Sequence, residues 1–346
     1  MMRYLMMRNS VVQNLLVYCA AAAIVWYVAR GVSIADIVRS FDEANLWLFI
    51  PVSLAGFLIW FVGETFLFAR LFTYFHKRTT FREMIPANAA QYFLQLINLA
   101  VAGGALAFFL HRRKGVPWLA GGCTLLFQGL LDIALLAAMA LIGAVLVPSS
   151  PIRVGVPYAV GALLVLSAIA ATFLWWRPTR GLGRWLYERR SLISFRSAQP
   201  RHYLKLALIR TPIFAAQGFV IYGQLWSFHV QMPLAHAFAL TPAVLAIGGL
   251  PVTPVGLGPL QAVVVGGFSA FGSRSSLLAA SLAISAINMA LRIPLGLGTA
   301  GAFAHEVREG AGQPQSEPES LPTMVVDGER GVDAALAVHD HSRAAD

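Results

Sequence analysis

The chain has 346 residues, of which 58% are hydrophobic and 12% charged, with a formal net charge of +10. Soluble domains carry about a quarter charged residues, so the composition excludes an ordinary soluble protein. It indicates a polytopic α-helical membrane protein instead, since the alternating patterns of a β-barrel do not occur. The charge is divided: residues 1–306 hold 23 Lys and Arg against 8 Asp and Glu, and residues 307–346 hold 3 against 8. The basic excess therefore belongs to loops on the cytoplasmic side of a membrane, and no nucleic-acid partner is expected.

In chain order, six apolar runs are long enough to span about 30 Å of hydrocarbon: 11–29, 46–69, 118–147, 156–176, 206–227 and 277–304. The N-terminal MMRYLMMRNS and the run behind it imitate a secretory signal, but the run continues past its alanines and is expected to be a retained first helix. Arg3 and Arg8 put the N-terminus in the cytoplasm, and the 30–45 loop, with two Arg against three acids, lies outside. Arg70, Lys77, Arg78 and Arg82 bring the chain back in. Region 84–110 then ends in the basic HRRK of 111–114, so it has basic flanks on both sides and should enter and turn back, with AVAGGA at 100–105 as the turn. Span 118–147 leads out, and span 156–176 leads in to eight basic residues between Arg177 and Lys205. Span 206–227 leads out again, to FHVQMPLAH, which has no Lys or Arg.

Region 237–272 must also turn back if the last span is to finish at a cytoplasmic tail. Its turn is GGLPVTPVGLG, residues 248–258, where Pro251 and Pro254 remove backbone donors and Gly249, Gly256 and Gly258 allow positive φ. Span, span, hairpin, span then occurs twice with opposite starting sides, in half-repeats of about 1–147 and 154–306. Such an inverted repeat with interrupted helices points to a transport site; the alternative is two unrelated broken helices. The fold expected is all-α, with about six full spans and two re-entrant helical hairpins. Residues 307–346, acidic and poor in apolar residues, are expected to form a disordered cytoplasmic tail.

Polar residues recur at helical spacing on several of these segments. Ser281, Ser285, Asn288, Arg292 and Thr299 lie on the last span, and Arg210, Gln217 and Gln224 on the fifth. Thr124, Gln128 and Asp132 lie on the third, Ser53, Trp60 and Glu64 on the second, and Asn88, Gln91, Gln95 and Asn98 on the first hairpin. Each stripe alone reads as interhelical glue, whereas five together suggest a shared polar groove. Asp132 and Arg292 occupy matching mid-span places and need a partner or water at that depth. They form either a structural ion pair or a site in which Arg292 faces a substrate anion while Asp132 holds it or exchanges protons. Glu64 is expected to bond with Arg70 near the cytoplasmic end. No metal-ligand spacing, P-loop or G-x-S-x-G elbow occurs, and Cys19 and Cys123 both fall in apolar runs, so neither an enzyme nor a cofactor is expected.

LPVTPVGLGPLQAVVVGGFSAFG with the following LRIPLGLG resembles the C-terminal signature of the flippase-like membrane family, which includes the transmembrane domain of lysylphosphatidylglycerol synthases. NAAQYFLQLINLAVAGGALAFFLHRRKG and the Asp132 helix resemble the first half more loosely, so the resemblance covers roughly residues 10–306. It departs in three places. Pro259-Leu260-Gln261 stands where the family has Arg-Glu, Gly104 or Ala105 where it has Glu, and Gln128-Gly129 where it has Glu-Arg. These departures shift the expected chemistry from carboxylates to amides and Arg292. No aminoacyl-transferase domain is read, so lysyl transfer is not expected.

The resemblance implies translocation of a lipid or lipid-linked precursor with a polar or anionic headgroup across a bacterial inner membrane. Its candidate substrate-binding residues are Arg292, Asp132, Asn288, Gln128, Gln91, Gln95, Asn98, Gln217, Gly249, Pro251, Pro254, Gly256, Gly258 and Gln261. The alternatives are a secondary transporter of a small organic anion and a non-transporting partner of an envelope-lipid biosynthetic enzyme.

Overall fold

The computed structural model describes residues 24, 26–30, 32–96, 99–148, 154–175, 192–248 and 257–311. All regular structure among them is helical: α1 (Ile34–Asp42), α2 (Leu46–Phe75), α3 (Phe81–Leu94), α4 (Leu99–Lys114), α5 (Trp118–Leu146), α6 (Val156–Trp175), α7 (Ile193–Ser197), α8 (Pro200–Trp226), α9 (Leu234–Gly248), α10 (Pro259–Gly267) and α11 (Arg274–Ala311). Four helices are long and apolar enough to cross a membrane: α2, α5, α8 and the Arg274–Gly298 part of α11. Shorter apolar stretches lie at Val156–Ile169 and Leu234–Gly248. The chain is thus a multi-pass helical membrane protein. The first expected span, 11–29, and the tail beyond 311 fall largely or wholly outside the described residues. Compact packing divides the chain into Met1–His305 and Glu306–Asp346.

Small residues and amides zip α2 to α8. A Cβ at Gly56 would come within 2.6 Å of Val220, one at Gly63 within 2.5 Å of Ile213, and one at Gly223 within 3.1 Å of Val52. Along the same seam Gln224 Nε2 donates to Ser53 Oγ (3.0 Å) and Gln217 Nε2 to the Gly56 carbonyl (3.1 Å). Residue numbers rise on one helix as they fall on the other, so the pair is antiparallel. Close approach of glycine-bearing faces is how membrane helices gain dispersion contact when hydrocarbon offers no hydrophobic drive. The same device joins α5 to α9, where a Cβ at Gly143 would lie 2.8 Å from the Ala239 backbone.

Two antiparallel helical hairpins pack among the long helices. Thr80 and Glu83 form a capping box at the start of α3, and Lys114 Nζ at the end of α4 donates to Glu83 Oε1 at 2.7 Å. This clasps the mouth of the α3–α4 hairpin beside Lys77 and Arg78, which follow the end of α2. α3 ends at Leu94 and α4 begins at Leu99, residues 97–98 lying outside the described residues, and Ala100–Ala105 lie inside α4. AVAGGA is therefore not the turn: a helix accepts two glycines at modest cost, and no atom stands within 4 Å of a Cβ at Gly103 or Gly104. The second hairpin is α9–α10, in which Gly248 meets Leu260 and Gly267 meets Leu240. Its mouth shares a core with Phe228, Val230 and Phe268, at the end of the bundle where the Asn45 amide donates to the Ser227 carbonyl (2.8 Å). The two mouths therefore lie at opposite ends of the bundle.

α9 ends at Gly248 and α10 begins at Pro259, which brackets the expected turn; residues 249–256 lie outside the described residues. At its last residue, Gly258, φ is 93°, a conformation that a side chain would strain. Pro259 at the first helical position loses no bond, because its N–H would be unpaired there anyway.

Outward faces are apolar, as lipid contact demands: Leu119, Ile142, Val145, Leu164, Leu208 and Phe219 are all exposed. α1 carries Ile34, Ile37, Val38 and Phe41 at helical spacing and has no buried residue, although Ile37 and Phe41 pack against the neighbouring core. Such a helix suits the membrane–water interface.

Candidate functional site

Halfway along the bundle, α2, α3, α5, α8 and α11 bring together four charged side chains and an aromatic cage. Arg210 is the hub, 3% exposed. Its Nε donates to Asp132 Oδ1 and its Nη2 to Asp132 Oδ2, both at 2.9 Å, in the two-pronged geometry that suits a carboxylate. Glu64 Oε1 lies 3.9 Å from the same Nη2. The guanidinium is sandwiched between Trp60 (4.6 Å) and Phe214 (4.7 Å), a cation–π contact worth about 2 kcal/mol when desolvated. Gln128, one turn before Asp132, donates to Asp132 Oδ1 at 2.8 Å.

The second arginine is held differently. Arg292 lies 5.4 Å from the ring centroid of Tyr92, which stands edge-on to Phe57 (5.7 Å) and Phe61 (5.4 Å). Tyr92 sits two residues from the end of α3, at the hairpin tip. Gly296, one turn beyond Arg292, abuts Phe93 so closely that a Cβ would overlap its side chain. Arg292 Nε, Arg210 Nη1 and Gln91 Oε1 are buried and have no hydrogen-bond partner among the described residues, and the buried Tyr92 hydroxyl faces Glu64. The first two are donors, and unpartnered donors on a full positive charge are suited to an anion.

Several expectations change accordingly. Asp132 takes Arg210 as its partner rather than Arg292. Glu64 faces Arg210 and not Arg70, whose guanidinium stacks on Phe66 at 5.0 Å. Helix geometry explains the second change, because six residues turn the chain about 240° and advance it about 9 Å, which puts Glu64 and Arg70 on different faces.

Of the remaining candidates, Gln217 is used in the α2–α8 seam. Gln261 is buried and fully engaged: its Oε1 accepts from the Gly258 N–H (2.6 Å), and its Nε2 donates to the Ser281 carbonyl (3.3 Å) and Ser285 Oγ (3.1 Å). It caps α10 and ties it to α11. Asn288 donates to the Ile284 carbonyl within its own helix (2.9 Å), and Gln95 caps α3 through its backbone. Asn88 bonds Thr65 (2.9 Å) and joins α3 to α2. Asn98, Gly249, Pro251, Pro254 and Gly256 lie outside the described residues.

The stripes on α2 and α8 thus serve mainly as glue, while Glu64, Arg210, Asp132, Tyr92 and Arg292 form the ionisable cluster. Glu64, Arg210 and Tyr92 were not among the candidate substrate-binding residues. For the first two a signal was present in two i, i+4 pairs, Trp60 with Glu64 and Arg210 with Phe214, which place an aromatic beside each charge. Two apolar clefts lie elsewhere. One of about 400 Å³ is lined by Ile24, Tyr27, Val28, Ala262, Val265 and Arg274, and one of about 150 Å³ by Leu130, Leu163, Phe195 and Tyr203 among others.

Set beside known proteins, residues 11–296 match the family model of the lysylphosphatidylglycerol synthase transmembrane region. No curated protein sequence matches the chain. The chain belongs to the lysylphosphatidylglycerol synthase transmembrane family.

Proposed function

We propose that this member of the family translocates a lipid, or a lipid-linked precursor with an anionic headgroup, between the leaflets of a bacterial inner membrane. The observation that carries the reading is Arg292 over Tyr92 at the tip of a helical hairpin, with buried donors left unpartnered beside an already neutralised Arg210–Asp132 pair. A charge kept at bilayer depth is costly and normally serves a pathway or a partner. Arg210 has its partner in Asp132, and Arg292 makes no ion pair with a described residue. The headgroup phosphate meets Arg292 and the Tyr92 hydroxyl while the tails stay in hydrocarbon, so protein donors replace the water it leaves.

In this reading α3–α4 and α9–α10 are re-entrant hairpins of an inverted repeat, with both chain termini cytoplasmic. Support comes from the opposite placement of their mouths, from helices of 14 and 16 residues in the first hairpin and of 15 and 9 in the second, and from basic residues at the mouth of the first. Partial positive charge at the α10 N-terminus adds to the field an anion would feel.

The test is reconstitution in liposomes with fluorescent phosphatidylglycerol, following its exposure to a membrane-impermeant quencher. Wild type should exchange the label between leaflets, and Arg292→Ala should slow exchange by an order of magnitude or more. Equal rates would remove Arg292 from the pathway, and no exchange by the wild type would remove the reading itself.

A further inference from the structure

Glu64 is the least firmly held acid of the cluster. Asp132 receives two 2.9 Å bonds from Arg210 and a third from Gln128, whereas Glu64 has one long ion-pair contact, 3.9 Å from Arg210, and the Tyr92 hydroxyl beside it. The groups that face it come from every element around α2 at this level: Arg210 from α8, Asp132 from α5, Tyr92 from α3 and Arg292 from α11. α7, the remaining neighbour of α2, packs through Phe195, and its Arg196 is exposed.

The charges balance. Two arginines oppose two carboxylates, so the empty cluster is neutral. A phosphodiester headgroup arriving at Arg292 brings one further negative charge, and an uncompensated charge in a low-dielectric interior is strongly disfavoured. Protonating Asp132 would break its two-pronged bond to Arg210 and leave that arginine less well paired. Protonating Glu64 sacrifices only a long ion-pair contact; the neutral acid can still accept from the Tyr92 hydroxyl and keeps an O–H to donate.

We infer that the protein couples headgroup binding to proton uptake, with Glu64 taking one proton for each monoanionic phosphodiester that enters and releasing it when the headgroup leaves. This rests on the headgroup reading above and adds its energy source, because a proton gradient then biases the direction of lipid movement. The balance is simple: one proton passes from water to the Glu64 carboxylate as one anion enters, net charge is unchanged, and both depart together on the far side.

The test is calorimetric titration of the full-length protein in detergent with soluble dihexanoylphosphatidylglycerol at pH 7.5, in buffers of differing ionisation enthalpy. Wild type should take up close to one proton per lipid bound, with affinity falling about tenfold per unit rise in pH. Glu64→Gln should bind with uptake near zero and an affinity that does not change with pH. An infrared difference spectrum of wild type carrying ¹³C-labelled glutamate should show an isotope-shifted protonated-carboxyl band on binding, which needs no variant to fold. Binding without proton uptake would overturn the coupling and leave the headgroup reading intact, and so would uptake that persists in Glu64→Gln. Failure of wild type to bind the lipid would overturn both.

Discussion

Substitution of Asp132 by Leu should destabilise the protein by about 3–5 kcal/mol, the usual cost of orphaning one member of a buried pair. The structure sets the scale. At 2.9 Å and an effective dielectric constant of about 20, the gross attraction of Arg210 for Asp132 is about 6 kcal/mol. Glu64, at 3.9 Å, still contributes about 4 kcal/mol of gross attraction at the same dielectric, which keeps the loss below the full value. Arg210 cannot retreat to water, because Trp60 and Phe214 enclose it. The double variant Asp132→Leu with Arg210→Met removes both ends and should recover most of the loss, giving a coupling energy above about 2 kcal/mol. Unfolding by SDS in mixed micelles provides the assay, with Trp60 as a fluorescent reporter at the site. A single-variant loss under about 1 kcal/mol, or additive single variants, would mean that the pair faces water, and the buried-cluster argument would fail.

Three further outcomes are expected. Gly143→Val should cost about 1–3 kcal/mol by overpacking the α5–α9 contact, since its Cβ would meet the Ala239 backbone at 2.8 Å; the same micelle assay reads it. Gly258→Ala should cost a similar amount, about 1–3 kcal/mol, because φ of 93° strains any Cβ, and hydrogen exchange at the start of α10 should rise with it. Acid should weaken the fold in two windows with different owners. Burial holds His76 at about 4, below its ordinary 6.5, so the unfolded chain protonates first and stability falls as pH drops from 6.5 towards 4. Lys114 and then Thr80 hold Glu83 at about 2, below 4.5, so its contribution is present above pH 4.5 and is lost as pH falls towards 2. The Glu83 share is discounted to about 1 kcal/mol or less by exposure and screening. His76→Gln should flatten the first window and Glu83→Gln the second, as read by thermal unfolding against pH.

Where hydropathy and loop charge act over many residues, the sequence was a good guide. The four long helices coincide with apolar runs, and the basic flanks of 84–110 enclose a pair of short helices rather than one long one. GGLPVTPVGLG lies between the two helices of the second hairpin because proline and glycine dictate backbone locally. AVAGGA misled because glycine permits a turn without requiring one, and the neighbouring alanines favour helix.

The cluster was half legible. Arg292 and Asp132 stood out as charges in mid-span, but their pairing depends on which helices touch, a long-range fact that no spacing encodes. Arg210 was overlooked as a site residue for a traceable reason. It lies on the polar stripe of the fifth span, but its partners Asp132 and Glu64 come from other helices, and the spacing along its own helix does not reveal them. Gln261 looked like a substrate ligand because it is polar in an apolar setting, and the structure uses it as a cap.

The glycine-and-amide zipper between α2 and α8 has a mechanical consequence. Two helices fastened by five contacts, from Val52 against Gly223 to Gly63 against Ile213, have little freedom to slide or part, so they act as a single stiff post. On the proposed reading a headgroup meets first one side of the membrane and then the other. The swing then falls to the hairpins and to α11, whose Gly296 nests on Phe93 and would link the travel of Arg292 to that of the α3 tip.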